Sequence, residues 1–349
     1  MKSFLRLLIP VVIFLLTLEG LLQLWVHLHR DEISEGPTAR QKWTNVKEGD
    51  PKRFPELDDM FQYPGTVSKL ELFHQGELLG TTFYAINSFG LRDREGEAPK
   101  KTHAIVAGCS YVFGHGVNAP DMISSRLAEL LPEVNVRNIG FPAGGLHTSL
   151  RYLEIVDPKL FVPEEEGVFL YVMIGDHLGR FLHDPSYLMW APETAPSYAL
   201  KDGKVSYAGR MREHASYRFM QFLRNFGLGE IVPGRFSFHR NEFSDEELGF
   251  FVAGVEELRR RYLAHFPKGR FLWVVHPLSG LHPDYGLRLE RLARKRGLEL
   301  LRADHHFQAL LRSGKLKLRE QRLKHDLHPS PKNNAFFAAW LNYHLFGGK

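Results

Sequence analysis

A serine hydroxyl attacks a carbonyl only when a base takes its proton, so a reactive serine implies an imidazole and a carboxylate that holds the imidazole in place. Ser110 lies in Gly108-Cys109-Ser110-Tyr111-Val112-Phe113-Gly114, a turn rich in small residues that can present a hydroxyl at the end of a strand. Far downstream, Asp326-Leu327-His328-Pro329 sets a carboxylate two residues before an imidazole. In a loop that spacing lets the acid fix the ring tautomer while the ring faces the serine. The chemistry of such a set is acyl transfer, with Ser110 as nucleophile, His328 as proton shuttle and Asp326 as its orienting acid. The developing oxyanion needs backbone donors. Asn138-Ile139-Gly140-Phe141-Pro142-Ala143-Gly144-Gly145 supplies a glycine-rich turn that can approach a ligand closely. The expected donors are the N–H groups of Ser110 and of the Ala143-Gly144 turn, with the Gly175-Asp176-His177 segment nearby.

In this order the segments resemble the blocks of the SGNH (GDSL-type) hydrolase family, where a Ser, a Gly, an Asn and a His recur. Gly108-Cys109-Ser110 resembles block I, Asn138 to Gly145 block II, Gly175-Asp176-His177 block III, and Asp326-x-His328-Pro329 block V. Asn87-Ser88-Phe89-Gly90-Leu91-Arg92 is similar to the segment that precedes the catalytic domain in membrane-anchored members. The likeness runs from Tyr84 to the C-terminus and is weakest over residues 181–270. It implies a serine esterase or O-acyltransferase that needs no cofactor and acts on esters of envelope glycans or lipids. Three departures stand out. Cys109 replaces the usual Asp beside the nucleophile, as in an envelope-anchored subgroup that reads GCS, and the position of the oxyanion glycine falls on Ala143. The block III Asn is Asp176, whose ionised carboxylate would repel an oxyanion unless it is protonated, turned away or engaged elsewhere, for instance in orienting His177. That substitution also supports a second reading, a catalytically silent SGNH-like module that binds a glycan or scaffolds an envelope complex.

The elements that must position these residues follow from the hydrophobic pattern. Beyond residue 101, short apolar runs at 103–107, 134–138, 168–174, 271–276 and 298–301 read as buried strands, and 123–131, 245–265, 285–296 and 334–345 as helices. Such alternation predicts an α/β fold, a three-layer α/β/α sandwich on a parallel, flavodoxin-like sheet of about five strands. Ligands bind such a sheet beyond the carboxyl ends of its strands, and there the polar turns collect. Residues 181–243 interrupt the alternation with aromatics, Pro and Gly and read as an insertion near the site. Residues 31–100, rich in Pro, Gly and charge with apolar runs at 69–73 and 81–86, read as a stalk and small β-rich lead-in to a catalytic domain over 101–349.

Residues 1–30 read as a transmembrane anchor, because 7–26 supply the roughly 20 mostly apolar residues a bilayer core requires. The run exceeds a signal-peptide core, and no small-x-small cleavage site or lipobox cysteine follows it. Lys2 and Arg6 ahead of it place the N-terminus in the cytoplasm and the rest outside, in the periplasm or its equivalent. Glu19 inside the span is costly and marks a candidate contact with a multi-pass membrane partner that supplies acyl groups. With net charge +5 and no basic run interleaved with aromatics, nucleic acid is not an expected partner. The single cysteine, Cys109, excludes an intramolecular disulfide and a CxxC zinc site and reads as a small buried residue. His115, His147, His177 and His183 are candidates to line the cleft. Asp304-His305-His306 looks metal-like but lacks a fixed ligand spacing, so no metal is expected. The basic stretch from Arg312 to Lys324 reads as a solvated face.

Overall fold

The computed structural model describes residues 17, 18, 20, 21, 24, 40–49, 63–92, 99–225 and 242–347. The expected membrane segment, residues 7–26, lies largely outside the described residues, and Glu19 wholly so. Among the described residues no helix is long and apolar enough to cross a membrane.

Strands β1 (Arg40–Lys47), β2 (Val67–His74) and β3 (Glu77–Ala85) form an antiparallel sheet. Its β2 alternates in burial, and Leu70 and Leu72 pack with Tyr84, Ile86 and Phe113. The apolar runs of the lead-in thus become a sheet because one face has a partner to cover.

The central sheet contains β4 (Thr102–Gly108), β5 (Val134–Gly140) and β6 (Gly167–Met173). A hairpin of β7 (Pro196–Lys201) and β8 (Lys204–Arg210) stands apart, and β9 (Arg270–Val275) and β10 (Leu300–Arg302) complete the sheet. Its order is β10-β9-β6-β4-β5, and every neighbouring pair is parallel. Side chains alternate across it. Ile105, Phe169, Tyr171 and Trp273 enter one core, whereas Ala104, Val106, Leu170 and Leu272 enter the other. Burying each of the larger of these side chains is worth roughly 2 to 3 kcal/mol.

Among the described residues the helices include α1 (Ser110–Phe113), α2 (Ile123–Leu130), α3 (Leu146–Ile155), α4 (Asp176–Phe181), α5 (Pro185–Leu188) and α6 (Ala215–Asn225), followed by α7 (Asp245–His265), α8 (Pro283–Lys295), α9 (Ala303–Arg312) and, after a short turn of helix at Leu318–Gln321, α10 (Pro331–Phe346). Apolar residues of α3, α7 and α8 cover the first face, and those of α2 and α10 the second, which gives the three layers. The sharpest boundary is that of α7. Ser244 and Glu247 form a reciprocal capping box, and Asp245, Glu246 and Glu247 complement the helix dipole.

Helix α3 is not among the expected helices; its polar His147, Thr148 and Ser149 are buried together with Leu146 and Leu150. Residues 181–243 are also more than a surface loop where they are described. Tyr187, Leu188, Tyr198, Met211 and Met220 join the first core.

Asn87 to Arg92 tie the lead-in to the central sheet. The Asn87 side chain accepts the amides of Phe89 and Leu91 at 2.9 and 3.0 Å, closing a tight turn. That turn delivers the buried Arg92, which donates to Phe113 O at 3.0 Å and Val117 O at 2.7 Å and stacks on Tyr84. Burial holds its guanidinium down at about 10. Arg92 therefore satisfies carbonyls at the end of α1 and in the turn that follows it. Arg92→Leu is expected to lower stability by at least ~2 kcal/mol, since several buried acceptors lose their donor at once, as read from the urea midpoint.

Candidate active site

Gly108 and Gly140 end the adjacent strands β4 and β5 and face each other in register. Neither has room for a Cβ. At Gly140 it would fall 2.2 Å from the Phe113 amide nitrogen, and at Gly108 2.8 Å from Val112 Cγ2. The two bare positions let α1 lie directly across the strand ends. Asn138 then pins it from below, its side chain donating to Val112 O at 2.8 Å. Phe113 stacks on Tyr84 at 5.2 Å, so the lead-in sheet braces the same turn from the side.

Ser110, at the first turn of α1, faces the loop before α10. His328 Nε2 lies 2.9 Å from Ser110 Oγ, and His328 Nδ1 lies 2.5 Å from Asp326 Oδ1, which also accepts the His328 amide at 2.8 Å. The structure thus brings together the three residues singled out for acyl transfer. Tyr111 donates to Leu327 O at 3.1 Å and sets its ring edge toward His328. His74 stacks on His325 at 3.7 Å, and Gln41 donates to the second Asp326 oxygen at 3.4 Å. Burial pushes the Asp326 carboxyl up, but the hydrogen bonds and charge of His328 outweigh it and hold the group at about 2.

Of the four candidate cleft histidines, His115 lines the cleft beside Ser110 and His328. Its ring lies against His328 with centroids 4.2 Å apart, and burial together with the neighbouring His328 charge holds it at about 3, so it is neutral. His147 and His177 are buried behind the cleft, against Tyr187 and Tyr171, and burial holds both far below the usual imidazole range. His183 packs beside His214. Cys109 is buried, and burial pushes its thiol up.

The cleft encloses about 490 Å³ and is lined by Ser110, His328, His115, Ala143, Arg180 and the rings of Trp43 and Trp190, among others. Ala143 adopts a left-handed conformation, φ 56°, which carries the turn toward the serine. Gly144 does not keep a free donor, because its amide is spent on Phe141 O at 3.0 Å. Gly140 likewise donates to Asn138 Oδ1 at 2.8 Å, and its place is under α1. Asp176 is not among the residues that line the cleft. Its side chain is 67% exposed and meets Arg180 at 3.4 Å, whereas His177 shares its hydrogen bond with Tyr171 and owes nothing to Asp176. One helical turn after Asp176, Arg180 reaches the cleft instead. The sequence holds a faint signal for it in the i to i+4 spacing, but that spacing alone does not say which of the two faces the site.

A metal would have to compete with these contacts. Ligand atoms of His115, Asp326 and His328 all lie within 4.8 Å of one another, yet both ring nitrogens of His328 are already engaged by Ser110 and Asp326. Asp304 is taken by a two-pronged pair with Arg302 at 2.8 Å, and His305 and His306 are exposed. Arg312, Lys315, Lys317, Arg319 and Lys324 are exposed as well.

No protein-family model and no curated protein matches the chain. Among solved structures it is similar to a lipolytic protein of the G-D-S-L family from Desulfitobacterium hafniense, with 11% identity and a TM-score of 0.38 over 68% of this chain and 96% of that one. It is also similar to an acetyl xylan esterase from the rumen bacterium Butyrivibrio proteoclasticus, with 12% identity and a TM-score of 0.38 over 82% of this chain and 73% of that one.

Two outcomes follow from this geometry. Gly140→Ala is expected to displace α1 and cost about 1 to 3 kcal/mol of stability, with loss of any Ser110 reactivity, as seen by urea titration beside a serine probe. For pH, the folded Asp326 lies at about 2, against an ordinary aspartate value of 3.8. Its contribution is therefore complete above about pH 4 and lost as pH falls toward 2. Asp326→Asn should lose less stability than the parent between about pH 5 and pH 2, and parallel losses in the two proteins would refute this assignment.

Proposed function

We propose that the protein is a serine hydrolase of the acyl-transfer class. The observation that carries this reading is the unbroken hydrogen-bond path from Ser110 Oγ through His328 to Asp326, at 2.9 and 2.5 Å. His328 Nε2 takes the Ser110 proton as Oγ adds to the ester carbonyl, while the Nδ1–H stays on Asp326, which stabilises the imidazolium. The oxyanion sits by the amides of Ser110 and Ala143, since the Gly144 amide is spent within its own turn. Collapse expels the alcohol, which takes the proton from His328. Water or an acceptor hydroxyl then removes the acyl group by the same steps in reverse.

The natural ester belongs to an envelope glycan or lipid, met outside the cytoplasmic membrane to which residues 7–26 anchor the chain, with Glu19 meeting a membrane partner that delivers acyl groups. The resemblance of the Ser110, Ala143 and His328 segments to SGNH blocks supports the chemistry. The apolar run at 7–26 supports the location. Trp43 and Trp190, 40% and 46% exposed along the cleft, offer flat apolar faces on which a sugar ring can lie. The alternative, a silent binding module, rests on Asp176, whose carboxylate is mostly in solvent and outside the cleft lining.

Ser110→Ala is expected to lower turnover of a small activated acyl ester by about 10³-fold or more, and His328→Ala by a similar factor. A fluorophosphonate should label Ser110 in the parent and not in His328→Ala. Undiminished turnover in Ser110→Ala, or no labelling of the parent, would defeat the assignment.

A further inference from the structure

The cleft contains a cation that the reaction above does not use. The side chain of Arg180 is only 8% exposed, yet it lines the cleft with Ser110 and His328. Two contacts fix it. It donates to Gly144 O at 2.6 Å, and its guanidinium lies 5.2 Å from the centre of the Trp190 ring. Its charge is poorly matched. Among the described residues its carboxylate partner is Asp176, at 3.4 Å and mostly in water, where screening leaves little of the pair. Its Nε is buried without an acceptor. Asp176 apart, the titratable groups packed against it carry no charge, because burial holds Cys109, Tyr111 and Tyr187 protonated and keeps His147 and His177 unprotonated. A guanidinium taken out of water costs several kcal/mol unless an anion meets it, so a fixed, desolvated and nearly unpaired one beside a nucleophile marks an anion site.

We infer that Arg180 selects esters carrying an anionic group, a carboxylate or a phosphate, next to the reacting acyl group. The substrate class narrows from envelope esters in general to acidic ones. Ala143 holds the oxyanion, Trp43 and Trp190 face the apolar or ring portion, and Arg180 takes the negative group. Arginine suits this task because its planar fork meets a carboxylate or phosphate through paired hydrogen bonds. Arg180 is thus a specificity residue, and it also stiffens the Ala143-Gly144 turn through Gly144 O.

This inference rests on the hydrolase reading, and the experiment separates the two. 4-Acetoxybenzoate and its neutral methyl ester carry the same acetyl group and differ at the para carboxyl, charged in one and esterified in the other, and mono-4-nitrophenyl glutarate and 4-nitrophenyl butyrate provide a charged and a neutral probe on the acyl side. In at least one pair the parent should favour the charged member by about tenfold or more in kcat/KM, mostly through KM. In Arg180→Met the ratio should fall to near one, and in Arg180→Lys it should be intermediate. Because a ratio is read, a general loss from a loosened Gly144 turn cancels. A ratio near one in the parent, or one that survives in Arg180→Met, overturns the inference. So does equal slowing of both members in that variant with the ratio unchanged, since it would leave the guanidinium a role in the turn or at the oxyanion and none in sorting charge. Binding of 4-hydroxybenzoate against its methyl ester, followed by tryptophan fluorescence, reads the anion site without catalysis. Arg180-dependent binding of the acid with no turnover of any ester and no fluorophosphonate labelling would remove the hydrolase reading and leave the anion site standing.

Discussion

Where β4 and β5 end side by side, Gly108 and Gly140 lack side chains, and α1 occupies the space. Every feature of the site depends on that close approach. A methyl group at either glycine would meet atoms of α1 at well under van der Waals distance, so the serine would be lifted away from the imidazole that faces it. The turn is then locked from three directions, by Asn138 beneath, Arg92 at its far end and the Tyr84–Phe113 stack alongside. A short helix held this firmly loses little freedom when a substrate arrives, which is the condition for a pre-organised nucleophile.

The lead-in sheet is accordingly part of the site. It contributes the Tyr84 ring to the nucleophile turn, the Trp43 ring to the cleft wall, and Gln41 and His74 to the loop that carries Asp326 and His328. Both halves of the Ser110–His328 contact are therefore braced by one small sheet. Its β1 strand is exposed along its whole length, so this bracing depends on the pairing of β1 with β2 and on the aromatic contact of Trp43 with Tyr84.

Charge within the cleft follows the same economy. His115 lies against His328 and is kept neutral, so it adds bulk without a second positive charge beside the imidazolium that forms in the reaction. The Asp176 side chain is mostly in solvent and is not among the residues that line the cleft. Arg180 is left as the desolvated cation of the cleft wall, which gives the pocket a preference in sign as well as in shape.

Local pattern determined much of this. The apolar runs and their spacing placed the five central strands within a residue or two. The capping residues Ser244 and Glu247 set the start of α7, and the Gly-x-Ser and Asp-x-His-Pro segments marked which polar residues needed to meet. These are legible because hydrophobic period, capping chemistry and short turns act over a few residues. What only the tertiary structure decided is what lies between elements far apart in the chain. Helix α3 buries polar His147, Thr148 and Ser149 as well as apolar residues, and Tyr187, Tyr198 and Tyr217 became core because a partner face was available. The choice of Arg180 over Asp176 for the cleft, the use of the Gly144 amide within its own turn, and the arrival of Gln41 and Trp43 beside the loop that carries Asp326 and His328 each depend on how separately folded pieces pack. Packing is a non-local constraint, and no window of sequence contains both of its partners.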